Sequence, residues 1–178
     1  MPDPVQASAL AALIDKARLT ELVGEYANLI DWIDWDRLDT VFWPDAAFDF
    51  GMFKGDIPEY RRFVADLEEG YARRFHMFGL PVIAVHGDSA RIDALCVIVC
   101  RTDGSGPGTD DTFWGRYLFA AERRDGEWRL SRLTYLLNLH ERVERTQDDR
   151  VQPMLFGDGL SPEHPLAAIA IEREIEHD

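Results

Sequence analysis

The sequence predicts an α+β fold in which N-terminal helices pack on one face of a curved, mostly antiparallel sheet. Two observations predict it. Apolar residues recur at helical spacing up to about residue 71, and from Phe75 onward the period shifts to that of strands broken by turn signals. With 178 residues, 46% of them hydrophobic and 11% aromatic, the chain has enough apolar material for one good core.

The first helix rests on Leu19, Leu22, Val23, Tyr26, Ile30 and Ile33, which fall at i, i+3, i+4, i+7, i+11 and i+14 and form one apolar stripe. Asp36 is placed to cap a short second helix carrying Leu38, Val41 and Phe42, with Pro44 past its end. Ala46 to Phe50 reads as a short strand, followed by a loop holding Gly51 and Gly55. The run Asp56-Ile57-Pro58-Glu59 combines a capping residue, an early proline and a carboxylate three residues on, so it opens a third helix. Tyr60, Phe63, Val64, Leu67 and Tyr71 supply its buried stripe.

Strands are expected over 75–85, 90–101, 112–123 and 127–140. His86-Gly87-Asp88 and Arg124-Asp125-Gly126 are the turns, and 102–111 is a Gly-rich acidic loop. The apolar centre of the 90–101 segment suggests burial on both faces. Residues 150–178 carry Pro153, Gly157, Gly159, Pro162 and Pro165 and read as an irregular tail with a short helix around Leu166–Ile175. The tail is assigned to the same domain as 1–149.

The formal net charge of −14, with Lys16 and Lys54 the two lysines, disfavours nucleic acid and anionic membrane surfaces, both of which need clustered cations. No apolar run is long enough to span a bilayer. Met1–Leu10 lacks a basic segment followed by an apolar one, so no signal peptide is expected and a cytoplasmic location is the default. Cys96 and Cys100 would lie about 13 Å apart in an extended strand, too far for a disulfide, and they lack zinc partners; reduced buried thiols fit better.

Of the five histidines, His86 sits at a turn, His164 and His177 lie in the tail, and His140-Glu141 does not by itself make a metal cluster. His76 stands apart. It lies in the aromatic run Phe75-His76-Met77-Phe78, where alternation puts His76, Phe78 and Leu80 on one face. Such a histidine is commonly a satisfied core residue. Asp31, at the end of the first helix among Leu29, Ile30, Trp32 and Ile33, is the natural partner, because an unpaired buried carboxylate is costly. The pair would orient the imidazole and leave its other nitrogen as a general base. Asp34 and Asp36 read as a plain polar helix end. Tyr26, on the stripe, reads equally as core or as a hydroxyl aimed into a pocket. Nucleotide, phosphate, zinc-protease and nucleophile-elbow motifs are absent, so a site without metal or cofactor is the simplest proposal.

These residues resemble a known family. The segment Thr20–Phe50, the run Arg74-Phe75-His76-Met77-Phe78-Gly79, the turn His86-Gly87-Asp88, the triplet Gly115-Arg116-Tyr117 and the hairpin Arg124-Asp125-Gly126-Glu127-Trp128-Arg129 resemble, in order and spacing, the SnoaL-like branch of the nuclear-transport-factor-2-like superfamily. The likeness runs over about 9–144. It implies a cone-shaped α+β barrel, and within the superfamily it is nearest scytalone dehydratase, bile-acid 7α-dehydratase and hexachlorocyclohexane dehydrochlorinase. Those enzymes eliminate water or HCl with an Asp–His dyad and no cofactor. The resemblance puts the dyad at Asp31 and His76 and a catalytic tyrosine at Tyr26. Phe50 stands where scytalone dehydratase has a pocket tyrosine, and Cys100 stands near its second histidine, departures that argue against scytalone itself as substrate.

The implied activity is a lyase: an elimination, or a related retro-aldol loss of a small fragment, on a hydrophobic aromatic, polycyclic or steroid-like substrate. Trp43, Phe48, Phe50, Phe78, Cys100, Trp114, Tyr117 and Asn138 are the expected lining. A homo-oligomer, trimer or dimer, is implied as well. The competing readings are a scaffold like the β-subunit of a ring-hydroxylating dioxygenase, a carrier of hydrophobic ligands, and a ketosteroid-type isomerase.

Overall fold

In the computed structural model, which describes residues 3–102 and 108–145, capping chemistry and apolar spacing set the helices. Helix α1 spans Pro4–Asp31, opened by the Asp3 side chain accepting from the Val5 N–H and by proline at its start. Its first half is exposed, while Leu19, Leu22, Val23, Tyr26, Leu29 and Ile30 are buried. The expected stripe loses its last member. The helix stops at Asp31, and Ile33 adopts a left-handed φ of 59°, turning the chain instead of extending the helix.

A single 3₁₀ turn, Trp35–Arg37, leads into α2 (Leu38–Val41). Asp36 lies inside that turn, and no side chain caps α2. Strand β1 (Phe42–Asp49) begins earlier than expected and includes Pro44; its register with β7 shifts between Phe42 and Ala47, the irregularity that lets a strand hold a proline. After β2 (Lys54–Gly55), α3 (Ile57–Glu68) opens on a reciprocal capping box: Asp56 accepts from the Glu59 N–H at 3.0 Å, and Glu59 from the Asp56 N–H at 3.1 Å.

The expected strand over 75–85 is two strands, β3 (Arg73–Phe78) and β4 (Val82–His86), both antiparallel to β5 (Ser89–Thr102). Gly79-Leu80-Pro81 breaks it, and Leu80 points to solvent instead of sharing the face of His76. β5, β6 (Thr109–Arg124) and β7 (Glu127–Glu144) form the meander, with Asp125 and Gly126 both at positive φ in the hairpin turn, as a two-residue type I′ turn needs.

The sheet order is β2-β1-β7-β6-β5-β3, with β4 also on β5; β1 joins β7 in parallel, so the sheet is mixed and open. Burial alternates along β5, in contrast to the two-faced burial expected of it: Ile92, Ala94, Cys96, Ile98 and Cys100 point inward, while Leu95 is exposed. The sheet curls around the inner face, α1 packs on β3, β4 and β7, and α3 lies against β1 and β2, giving the α+β cone. Its core is aromatic: Tyr26, Phe42, Phe48, Tyr60, Tyr117 and Phe119 contact one another ring to ring. The expected tail over 150–178, with His164 and His177, lies outside the described residues.

Candidate active site

Asp31 is the last residue of α1, and His76 is the fourth of β3, paired with Ile98 across the ladder. Because β3 alternates, Arg74 and His76 point into the cone while Phe75 and Met77 point out. The end of α1 brings the Asp31 carboxylate to within 2.7 Å of His76 Nδ1. The same carboxylate accepts the His76 backbone N–H, at 2.9 Å to Oδ2 and 3.1 Å to Oδ1. With Nδ1–H donating to Asp31, Nε2 is left with its lone pair. The His76 side chain is 2% exposed and Asp31 16%. Such a buried, charge-assisted pair fixes both tautomer and ring plane.

His76 lines a cavity of about 310 Å³ whose wall includes Tyr26, Ile30, Phe50, Tyr60, Phe63, Tyr71, Cys100, Phe113, Tyr117, Tyr135 and Leu137. Tyr26 and Tyr60 share a 2.7 Å hydrogen bond between hydroxyl oxygens. Burial pushes the phenols of Tyr26, Tyr60 and Tyr117 well above the ordinary range. It also raises Tyr135, whose hydroxyl is buried without a hydrogen-bond partner. The Cys96 thiol is pushed up to about 12 by burial, and Cys100 is raised for the same reason, so both stay protonated and are poor nucleophiles.

Two ionisable clusters were not read from the sequence. Glu68, in the last turn of α3, reaches the cavity wall and is 5% exposed. Its Oε2 lies 3.3 Å from Arg74 Nε without hydrogen-bond geometry, while Arg74 donates to the Glu68 and Tyr71 carbonyls at 2.7 Å each. Burial raises the Glu68 carboxyl, outweighing the opposing pull of His76 and Arg74. The signal was present: Tyr60, Val64 and Glu68 step by four along the buried face of α3. The second cluster stands one rung above the cavity. The fully buried Asp111 receives His140 Nε2 at 2.7 Å and Arg142 at 2.8 and 3.0 Å, and His140 stacks on Phe113 at 4.5 Å. The Arg142 guanidinium holds the Asp111 carboxyl below its usual range. Finding it required the β6–β7 register, which pairs Asp111 with Arg142 and Phe113 with His140. Among the described residues, no group of three or more His, Cys, Asp or Glu side chains is arranged to hold a metal ion.

Of the expected lining, Phe50, Cys100 and Tyr117 reach the cavity and five residues do not. Trp43 is held outside it: its indole donates to the Glu122 carbonyl at 3.0 Å, and Arg124 and Arg129 lie over its ring. Phe48 is core, stacked on Tyr60 with ring centres 4.0 Å apart. Phe78 is screened from the cavity by its packing on Tyr26, Tyr117 and Phe119. Trp114 sits beside Val97 and Leu139 in an outward-facing row, beyond a register shift between Trp114 and Gly115. Asn138 is the residue skipped by that same bulge and is exposed.

Residues 11–134 match the family model of the SnoaL-like domain. Uncharacterized proteins of Mycobacterium tuberculosis and Mycobacterium bovis are 29% identical over 91 residues, covering 49% of this chain and 62% of theirs. The chain therefore spans about three fifths of the length of the curated relatives it matches. Among solved structures, a hexachlorocyclohexane dehydrochlorinase from Novosphingobium barchaimii superposes with a TM-score of 0.69 at 18% identity, over 86% of this chain and 99% of that one. A candidate scytalone dehydratase from Novosphingobium aromaticivorans gives 0.66 at 16% identity, over 73% and 88%. A Kribbella flavida protein gives 0.67 at 23%, over 73% and 95%. These likenesses concern the fold.

Proposed function

The chain belongs to the SnoaL-like domain family, and on that premise we propose that it is a lyase that eliminates a small fragment, water first among them, from a hydrophobic aromatic or polycyclic substrate. The observation that carries this reading is the 2.7 Å Asp31–His76 bond in the wall of an aromatic cavity. His76 Nε2 removes a proton from carbon next to a carbonyl. Asp31 stabilises the imidazolium that forms, and the bond to the leaving group breaks as the new double bond forms. Tyr26, tied to Tyr60, is the donor for the carbonyl oxygen, where charge develops. The neighbouring dehydratase and dehydrochlorinase folds support the reaction class. A cavity of about 310 Å³ suits a ligand of drug-like size.

A screen of hydroxylated aromatic and steroid ketones for conjugated product tests it. Asp31→Asn and His76→Ala are each expected to slow product formation by about 100-fold or more, and full activity in either would refute the dyad.

We also infer a homo-oligomer assembled on the outer sheet face. Met77, Val97, Trp114 and Leu139 form one outward row across β3, β5, β6 and β7, and Phe75, Leu95 and Leu136 are exposed on the same face. Contiguous apolar patches of this kind mark association surfaces.

A further inference from the structure

Elimination of water needs two proton movements, one off carbon and one onto the departing oxygen. The dyad supplies the first. Hydroxide is a poor leaving group, so the second needs an acid that is protonated near neutral pH and lies within reach of the same cavity.

The phenol of Tyr26 does not suit that role. It is 1% exposed, its hydroxyl is bonded to Tyr60, and burial makes it a weaker acid than a free tyrosine. Cys100 does not suit it either, because burial raises its thiol. Glu68 differs from both. It lines the cavity from α3, facing His76 on β3 and Cys100 on β5, and its side chain is 7% exposed. Its Oε2 is buried 3.3 Å from Arg74 Nε, and burial is the largest influence on the carboxyl, favouring its acid form. Tyr26, Tyr60, Tyr71, Tyr117 and Cys100 line the same cavity around it. The groups facing it pull in opposite directions: Arg74 and His76 favour its ionised form, while Asp31 and burial favour the acid. Two carboxyl groups in unlike settings then divide the labour, Asp31 bonded to an imidazole and an N–H, Glu68 desolvated.

We propose that Glu68 is the general acid of this site, donating its proton to the oxygen that leaves. The assignment rests on the elimination reading above. In the step, His76 Nε2 takes the carbon-bound proton and the C–H electron pair becomes the second bond of C=C. The C–O bond breaks with its electrons on oxygen, which receives the Glu68 proton and departs as water. The imidazolium then returns its proton to the Glu68 carboxylate, restoring both groups.

The test uses two probes on one skeleton, the aldol adduct of benzaldehyde with acetone and its para-nitrophenyl ether. Both yield benzylideneacetone, followed by ultraviolet absorbance, but nitrophenoxide leaves without a proton. Glu68→Gln is expected to slow loss of water by about 100-fold or more and loss of nitrophenoxide by less than about threefold. Glu68→Asp should recover part of the water reaction, and His76→Ala should lose both. Equal loss on the two probes in folded Glu68→Gln would overturn the assignment. A second arm needs no turnover: carbon-13 NMR of the glutamate carboxyls, with Glu68→Gln identifying the resonance. Glu68 is expected to stay protonated above the usual carboxylate range, and ionisation within that range overturns the proposal. If the wild type turns over neither probe, the elimination reading falls for aryl β-hydroxyketones, and the titration alone decides whether Glu68 is an available acid.

Discussion

Asp31 binds His76 twice, through the ring Nδ1 at 2.7 Å and through the backbone N–H at 2.9 Å. One carboxylate therefore fixes the ring and ties the end of α1 to β3. The two bonds separate by mutation. Asparagine at Asp31 keeps an oxygen for the N–H but loses the charge that stabilises an imidazolium. Asp31→Asn should lower kcat by about 10²–10⁴-fold with a small change in Tm. Asp31→Ala should add a stability loss of about 1–3 kcal/mol from the orphaned N–H. Turnover and thermal melts on the same preparations check both.

The Tyr26–Tyr60 bond makes a second separable pair. Tyr60→Phe removes the partner of Tyr26 but no cavity contact to a substrate carbonyl, and should cost about 1 kcal/mol of stability. Tyr26→Phe should cost a similar amount and slow turnover by about 100-fold through the lost donor. Equal effects of the two variants on kcat would make Tyr26 a core residue only.

Where local chemistry decides, the sequence was legible. The Asp56–Glu59 capping box, the Asp125-Gly126 turn and the pairing of Asp31 with His76 all depend on residue type at short spacing or on the cost of burying a charge. Where side-chain direction depends on register, it was not. Trp114 stands three residues from the inward Tyr117 on β6 and so faces the other side of the sheet, and Asn138 is the extra residue of the β7 bulge, which no residue type announces. Trp43, expected in the lining from the family resemblance, is covered elsewhere. Here Arg124 and Arg129, more than 80 residues on, provide that cover outside the cone. Glu68 went unread because a glutamate near a helix end is ordinarily solvated.

Glu68 and Asp111 should bend the pH dependence of stability in opposite senses. The folded pKa of Glu68 is raised by burial, so the folded chain holds that proton more tightly. Its contribution is full below the unfolded value and is lost as pH rises through the folded one. Asp111 is depressed, first by its bonds to Arg142, so its contribution is present above the unfolded value and is lost as pH falls through the folded one. Melting Glu68→Gln and Asp111→Asn across pH should flatten the profile above the usual carboxylate range for the first and below it for the second. A parallel shift at all pH values would contradict either assignment.

The apolar rows on the outer sheet face predict association. Met77 is 52% exposed and Leu139 65%, with Val97 on β5 and Trp114 on β6 between them. A charge on that row should be tolerated by an isolated chain and rejected by an interface. Met77→Lys with Leu139→Lys should lower the mass seen by sedimentation while leaving the circular dichroism spectrum unchanged. An unchanged mass would remove this face from any assembly.

Gly115 links the bulge to the shape of the pocket. A Cβ there would meet the Leu136 carbonyl oxygen at 2.5 Å and the Tyr135 ring and hydroxyl at 2.8 Å. The carbonyl belongs to the β7 backbone and cannot yield without disturbing the ladder. Tyr135 can yield, and the room it faces is the cavity it lines with Phe50 and Tyr117, whose rings it contacts at 5.8 and 4.9 Å. Gly115→Ala should therefore destabilise the fold by about 1–3 kcal/mol, as overpacking does. It should also narrow the pocket. The expected kinetic signature is a KM raised more for polycyclic than for single-ring substrates, with kcat on the smaller ones nearly preserved because Asp31 and His76 stand on α1 and β3. Combining it with Tyr135→Phe removes the hydroxyl, one of the two clashing groups of that side chain, and should restore part of both losses. If the double variant is no better than Gly115→Ala, the strain lies in the β7 backbone and the pocket is not shaped through Tyr135.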